Sequence, residues 1–164
     1  DPAGLAISEK LRAKSVGLSQ AKRNANDTVS LLQIAEGSLT TVHELGGRLK
    51  ELALQSATDS MSEADRAVAN KEFQSLKTEI QRVQESVSYN GRKLSANEGA
   101  FSMQIGAGST SNDRINCDMK KALRSLSQLG MASTSIGTKI SSRLALGNID
   151  EMIEKIRSAT GIRY

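Results

Sequence analysis

The side chains that most often carry chemistry are scarce in this chain. His43 is its single histidine and Cys117 its single cysteine, so no histidine relay, zinc or iron–sulfur ligand set or intramolecular disulfide can be assembled from them. General acid–base or nucleophilic work by His43 needs an orienting carboxylate and a nucleophile on its own face. Glu44 is adjacent in sequence, which on a helix points it elsewhere, so His43 reads as a solvated side chain. Cys117 alternates with Ile115 and Met119, the pattern of a small hydrophobe on the inner face of a strand rather than of a reactive thiolate. Gly106-Ala-Gly108 lacks the Lys-Ser/Thr pair of a phosphate loop and opens no helix. The basic residues Arg12, Lys14, Lys22 and Arg23 suggest a stripe for nucleic acid, but no aromatic stacking platform accompanies them and the net charge is only +4. No apolar run is long enough to span a bilayer. These residues therefore read as a non-enzymatic chain with no cofactor, no metal, no nucleic-acid partner and no membrane insertion.

The elements that would position these residues follow from composition and periodicity. With 164 residues the chain suits one domain, and its 2% aromatic share argues against a thick core. The one proline is Pro2, so nothing later interrupts a helix by its ring. From about residue 6 to 57, Leu11, Leu18, Ala25, Leu32 and Leu39 repeat every seven positions. Ala21, Thr28, Ala35, Val42 and Leu49 form a second row three positions on, which predicts a long helix with a coiled-coil-like seam. Gly17, Gly37, Gly46 and Gly47 mark places for a bend. Ser62 and Asp65 carry a helix-start signature, and Ala69, Phe73, Leu76, Ile80, Val83 and Val87 give the second helix a narrow apolar stripe. A short link between the two predicts antiparallel packing. After the turn signal Tyr89-Asn90-Gly91 the period falls to two over 101–105 and 115–119, predicting a β-hairpin with Ile115, Cys117 and Met119 inward. Residues 122–134 give no clear pattern. Ile140, Leu144, Ile149, Met152, Ile153 and Ile156 predict a third helix ending near Gly161. The expected fold is mainly α: an elongated antiparallel bundle of long helices with a small β-hairpin. It forms a single domain over 1–164, with the first helix region at 1–57, the second helix at 62–88, the hairpin region at 91–120 and the third helix at 138–160.

Several of these segments resemble bacterial flagellin. Asp1-Pro-Ala-Gly-Leu-Ala-Ile7, Gly17-Leu-Ser-Gln-Ala21 and Arg23-Asn-Ala-Asn-Asp27 are similar to that family's motifs in the family's order. So are Glu36-Gly-Ser-Leu39, Arg48-Leu-Lys-Glu-Leu-Ala-Leu-Gln-Ser-Ala57, Tyr89-Asn-Gly-Arg-Lys-Leu94 and Met103-Gln-Ile-Gly-Ala107. The likeness covers residues 1 to about 107 closely and Asn148-Ile-Asp-Glu-Met-Ile-Glu-Lys-Ile156 more loosely. It resembles the rod-like D1 core of the family without the two terminal segments and most of the C-terminal long helix, and with the outer domains absent or minimal.

The resemblance implies a structural subunit of the flagellar filament, exported without a cleaved signal and located outside the cell. It implies other flagellin subunits as partners, with an export chaperone and a filament cap acting on the full-length protein. It also implies recognition by the flagellin-sensing Toll-like receptor through Arg48, Leu52 and Glu79: a guanidinium fork, an apolar contact and an acceptor. As a D1-type piece the chain is expected not to polymerise, and the uncovered stripe of its helices predicts self-association. The competing class is a helical adaptor binding partners along an Ala/Leu/Val seam. The ordered motifs and the hairpin weigh against it, since an adaptor needs neither.

Overall fold

The computed structural model describes residues 1–95, 99–120 and 123–160. Helix α1 runs unbroken over Pro2–Ser56, so its glycines do not interrupt it; at 55 residues it is about 80 Å long. Asp1 caps it by accepting from the Ala3 amide at 3.1 Å, and Pro2 occupies the first turn, where no amide partner is lost. Helix α2 spans Glu63–Ser86 and α3 Lys139–Thr160. Ser62 caps α2 by accepting from the Asp65 amide at 3.2 Å, with Glu63 and Asp65 in the first turn opposite the positive end of the helix dipole. The expected end of α3 at Gly161 lies outside the described residues.

Both α2 and α3 pack on α1, which therefore forms the central rod. The inward positions of α1 are Ala21, Thr28, Leu31, Ala35, Val42, Gly46, Leu49, Leu52, Ala53 and Ser56, with half-buried Leu39 continuing the three–four spacing between Ala35 and Val42. This corrects the sequence-based seam. The row Ala21–Thr28–Ala35–Val42–Leu49 is buried, but Leu11, Leu18 and Leu32 of the other row are exposed. The elements packed on α1 meet the Ala21–Leu49 side, so Leu32 turns to solvent, and Leu11 and Leu18 lie on early turns that those elements leave uncovered. Leu31 takes the inward place that Leu32 was expected to fill.

Two apolar clusters lie along the rod. The larger joins Val42, Leu49 and Leu52 of α1, Phe73 and Ile80 of α2, and Ala145, Ile149, Met152 and Ile156 of α3. Ile140 and Leu144 do not share that face, being 74% and 68% exposed; α3 turns Ser142 and Ala145 inward instead. Leu126, Leu129 and Met131, from the stretch without a clear period, are buried in this cluster, as is Ile136 just beyond it. They sit in a mostly irregular connection, which is why no helical or strand period announces them.

The second cluster joins Leu31 and Ala35 to Val87, Leu94, Phe101, Cys117 and Leu123. Its β elements are two antiparallel pairs: β1 (Ser88–Tyr89) with β2 (Arg92–Lys93), and β3 (Ala100–Gln104) with β4 (Arg114–Asp118). The first pair closes around Asn90-Gly91, where only a turn was expected. In the second, Phe101 faces Cys117 and Met103 faces Ile115. Cys117 is buried, yet Ile115 is 42% exposed, because the apolar cover of the hairpin ends at the Phe101–Cys117 pair and half-buried Met103 and Met119. Arg92 lies over the Phe101 ring at 4.4 Å from its centre.

Candidate functional site

Polar side chains facing inward lock the helices into one arrangement. Arg66, at the start of α2, is buried and donates to Ser56 O at 2.8 Å, Thr58 O at 2.6 Å and Glu63 at 2.7 Å, so a guanidinium fork caps the end of α1. Lys77 donates to Ala132 O at 3.1 Å and Thr134 O at 2.8 Å, and Gln74 to Thr134 O at 3.1 Å. Asn70 accepts from the Ile136 amide at 2.9 Å, while Asn148 of α3 donates to the Thr134 hydroxyl at 3.2 Å. The irregular 131–136 stretch is thereby tied to α2 and α3 together. Burial pushes the Lys77 ammonium below the usual lysine range. These residues were missed by the sequence reading. Continuing Phe73 and Ile80 by seven reaches Arg66 and Val87, and Asn70, Lys77 and Gln84 form a parallel seven-residue row, so the spacing that marks the stripe also marks its polar members.

The three residues implied in receptor recognition fall on two different layers. Arg48 is half-exposed on α1, with its guanidinium on Glu72 of α2 at 2.7 Å and on Glu51 at 3.1 Å. These carboxylates raise its pKa, the Glu72 hydrogen bond most. Glu79 on α2 is similarly exposed and accepts from Arg82 at 2.5 Å and 2.8 Å, which lowers its pKa. Leu52 is 2% exposed, inside the larger cluster, so it offers no apolar surface of its own. The four-residue spacing from Arg48 places the two on neighbouring turns, but Leu52 lies on the flank that faces α2 and α3.

The first five turns of α1 differ from the rest of the molecule. Leu5, Ile7, Leu11, Val16 and Leu18 are all exposed, Leu11 at 62%. Lys14 and Lys22 flank Leu11 and Leu18 along one shallow groove with Ser15 and Ser19. Support for this stretch begins at Gly17, where an added β-carbon would come within 3.3 Å of the Ala107 methyl, and at Asn24, which donates to Gln104 O at 2.8 Å. The loop between β3 and β4 is held from within: Gln104 donates to Gly106 O at 2.9 Å and Gly108 O at 2.7 Å, and Asp113 accepts from the Thr110 hydroxyl at 2.6 Å and amide at 3.0 Å. Those bonds hold the Asp113 carboxyl below its usual range. His43 is exposed on α1, away from the larger cluster, while Cys117 is buried with its thiol pushed up by desolvation. Among the described residues no three His, Cys, Asp or Glu side chains gather as a metal set, and no helix is long and apolar enough to cross a membrane. What the first turns of α1 present is an exposed apolar and basic helical arm.

Residues 1–99 match the family model of the bacterial flagellin N-terminal helical region. A flagellin of Halalkalibacterium halodurans is 38% identical over 156 residues, 95% of this chain and 57% of the relative. Polar flagellin F of Vibrio parahaemolyticus is 44% identical over 123 residues, 73% of this chain and 32% of the relative. The chain thus spans little more than half of the first of these relatives and a third of the second. The crystal structure of Bacillus cereus flagellin superposes with a TM-score of 0.73 at 21% identity, covering 85% of this chain and 79% of that one, and so shares its fold. With the family model matched over more than half of its length and a flagellin relative 38% identical over 95% of it, the chain belongs to the bacterial flagellin family.

Proposed function

We propose that this chain is a structural subunit of the bacterial flagellar filament, working outside the cell and bonded to further copies of flagellin. The observation that carries the reading is the uneven covering of α1: its later turns are buried by α2, α3 and the hairpins, while Leu5, Ile7, Leu11, Val16 and Leu18 stand uncovered on its first turns. Ile7, Leu11 and Leu18 fall on one side of the rod and Leu5 and Val16 on the other, an arrangement that suits burial by more than one neighbour, and repetition of such contacts generates a helical assembly. Export by the flagellar apparatus, with a chaperone before it and a cap after it, belongs to the same reading. The test is immunogold electron microscopy with an antibody raised against this chain. Labelling along the filament supports the role; labelled cell bodies with bare filaments would overturn it.

A second reading is recognition by the flagellin-sensing Toll-like receptor. Arg48 and Glu79 are exposed and their partners Glu51, Glu72 and Arg82 are exposed too, so exchanging these water-screened pairs for receptor groups costs little. Leu52 enters this reading as the packing residue that holds α1 against its neighbours beneath them. Capture by the receptor ectodomain should fall with Arg48→Ala and Glu79→Ala; unchanged capture in both removes the reading.

A further inference from the structure

The turn joining β1 to β2 carries a chemical liability that neither the fold nor the filament role requires. Asn90 and Gly91 both take positive φ, 48° and 77°, between the closing pair Tyr89 and Arg92, the geometry of a two-residue primed turn that favours Asn-Gly. Both residues are exposed, and among the described residues the Asn90 side chain enters no hydrogen bond. The chain has eight asparagines, and Asn90 alone precedes a glycine, whose amide nitrogen no side chain shields. Asn24, Asn26, Asn70 and Asn148 lie within helices and Asn116 within β4, where the backbone is fixed by its ladder.

We infer that Asn90 is a site of spontaneous deamidation, a covalent modification that resets the hairpin. The Gly91 main-chain nitrogen gives up its proton to solvent and attacks Cγ of Asn90. A C–N bond forms, the Cγ–Nδ2 bond breaks, and ammonia leaves with a proton from solvent, closing a five-membered succinimide without any change of oxidation state. Water then opens the ring. Cleavage at Cγ yields aspartate, whereas cleavage at the main-chain carbonyl yields isoaspartate, in which the chain runs through the side-chain carbons.

The hairpin governs both the rate of this reaction and the fate of its products. The closed turn fixes Asn90 at φ 48° and Gly91 at φ 77°, which restricts the backbone rotation that ring closure needs, so attack proceeds from the opened hairpin. That hairpin has only two paired positions on each strand, and a two-stranded ribbon is marginal by itself. What keeps it closed is the pair beyond it: the Leu94 amide donates to Val87 O at 3.0 Å, and both side chains are buried in the second cluster. Aspartate at position 90 keeps the turn, since Asp-Gly suits it equally well. Isoaspartate lengthens the backbone of a two-residue loop, which breaks the Tyr89–Arg92 closure and loosens Val87 and Leu94.

The test is peptide mapping of the full chain during incubation at mildly alkaline pH, beside a synthetic peptide of residues 86–95. Asn90 should be the first of the eight asparagines to convert, giving both aspartate and isoaspartate. It should react at least about tenfold more slowly than in the peptide because only the opened fraction reacts. Leu94→Ala should recover about tenfold of that rate, and urea below the global transition should accelerate conversion in the parent chain. Asn90→Asp should abolish ammonia release at this position while leaving the circular dichroism unchanged. In the isoaspartate fraction alone, the Leu94 amide should lose its protection from hydrogen exchange. Another asparagine converting first, or an Asn90 rate that ignores both Leu94→Ala and urea, would overturn the inference.

Discussion

The seat of α3 on α1 can be measured through two adjacent glycines. A β-carbon placed on Gly46 would lie 3.2 Å from Met152 Cε and 3.7 Å from Ile153 Cγ1, whereas one on Gly47 meets nothing within 4 Å. Both positions lie deep within α1, so each Gly→Ala change carries the same helix-propensity gain of about 1 kcal/mol. At Gly47 that gain should appear in full, raising Tm by roughly 2–4 °C for a chain of this size. At Gly46 the new methyl meets the end of a flexible methionine, which can move by a few tenths of an ångström, so the gain should shrink to between zero and about 1 kcal/mol. Gly46→Leu cannot be accommodated by that shift. It forces α3 outward or Met152 and Ile153 off their rotamers at about 1–3 kcal/mol, which cancels the propensity gain and leaves a net loss of up to about 2 kcal/mol. Urea denaturation followed by far-ultraviolet circular dichroism reads all three variants, and Gly46→Leu combined with Met152→Ala supplies the control. The pair should be non-additive, with the small residue at 152 relieving at least about 0.5 kcal/mol of the overpacking. Equal stability of Gly46→Leu and Gly47→Ala, or strict additivity with Met152→Ala, would refute the close approach of α3 at Gly46.

Other consequences can be checked in the same way. Arg66→Ala should cost about 3 kcal/mol in urea denaturation, since it orphans the Ser56 and Thr58 carbonyls and removes a buried stem, and Arg66→Lys should restore only part of it. The folded-state pKa of Lys77 is depressed, so below its ordinary value of 10.5 the unfolded chain binds more protons than the folded one. Its contribution therefore makes stability rise with pH through that window, and Lys77→Met should flatten the rise in alkaline urea titrations. For Asp113 the sign is the same: its depressed pKa means the ordering of the 105–113 loop is complete above the ordinary carboxylate range and decays as pH falls through the folded value. Amide exchange at Thr110 reports this, and Asp113→Asn should remove the pH dependence. Leu52→Ala should cost about 2–5 kcal/mol while Arg48→Ala leaves the midpoint nearly unchanged, separating the buried residue from the exposed one in thermal denaturation.

Much of the architecture is legible in residue spacing because the long helices carry periodic apolar faces and distinct starts, as with Ser62 and Asp65 before α2. The Phe101 and Cys117 strands likewise alternate cleanly and pair in register. What spacing does not convey is which of two apolar rows meets a neighbour. Leu11 and Ala21 belong to equally regular rows, and only the position of the hairpin and α3 buries one and leaves the other in solvent. Ile140 and Leu144 mislead for the same reason, being large apolar residues on the outward side of α3. Leu126, Leu129 and Met131 sit in an irregular connection that has no period to detect. Motif likeness picks out Arg48, Leu52 and Glu79 together, although the helix turns Leu52 inward. Arg66 and Lys77 went unseen because burial of a cation depends on carbonyls brought from elsewhere in the chain, Ser56 and Thr58 for one, Ala132 and Thr134 for the other.

The filament role rests on the exposed apolar arm of α1, and charge placed there tests it most directly. Cells whose copy of this protein carries both Leu11→Asp and Leu18→Asp should export a folded chain, because neither side chain supports the monomer's core. Filament length by electron microscopy is the measurement: short or absent filaments with normal export are predicted. Filaments of parental length built from the doubly substituted chain would contradict that role for the arm.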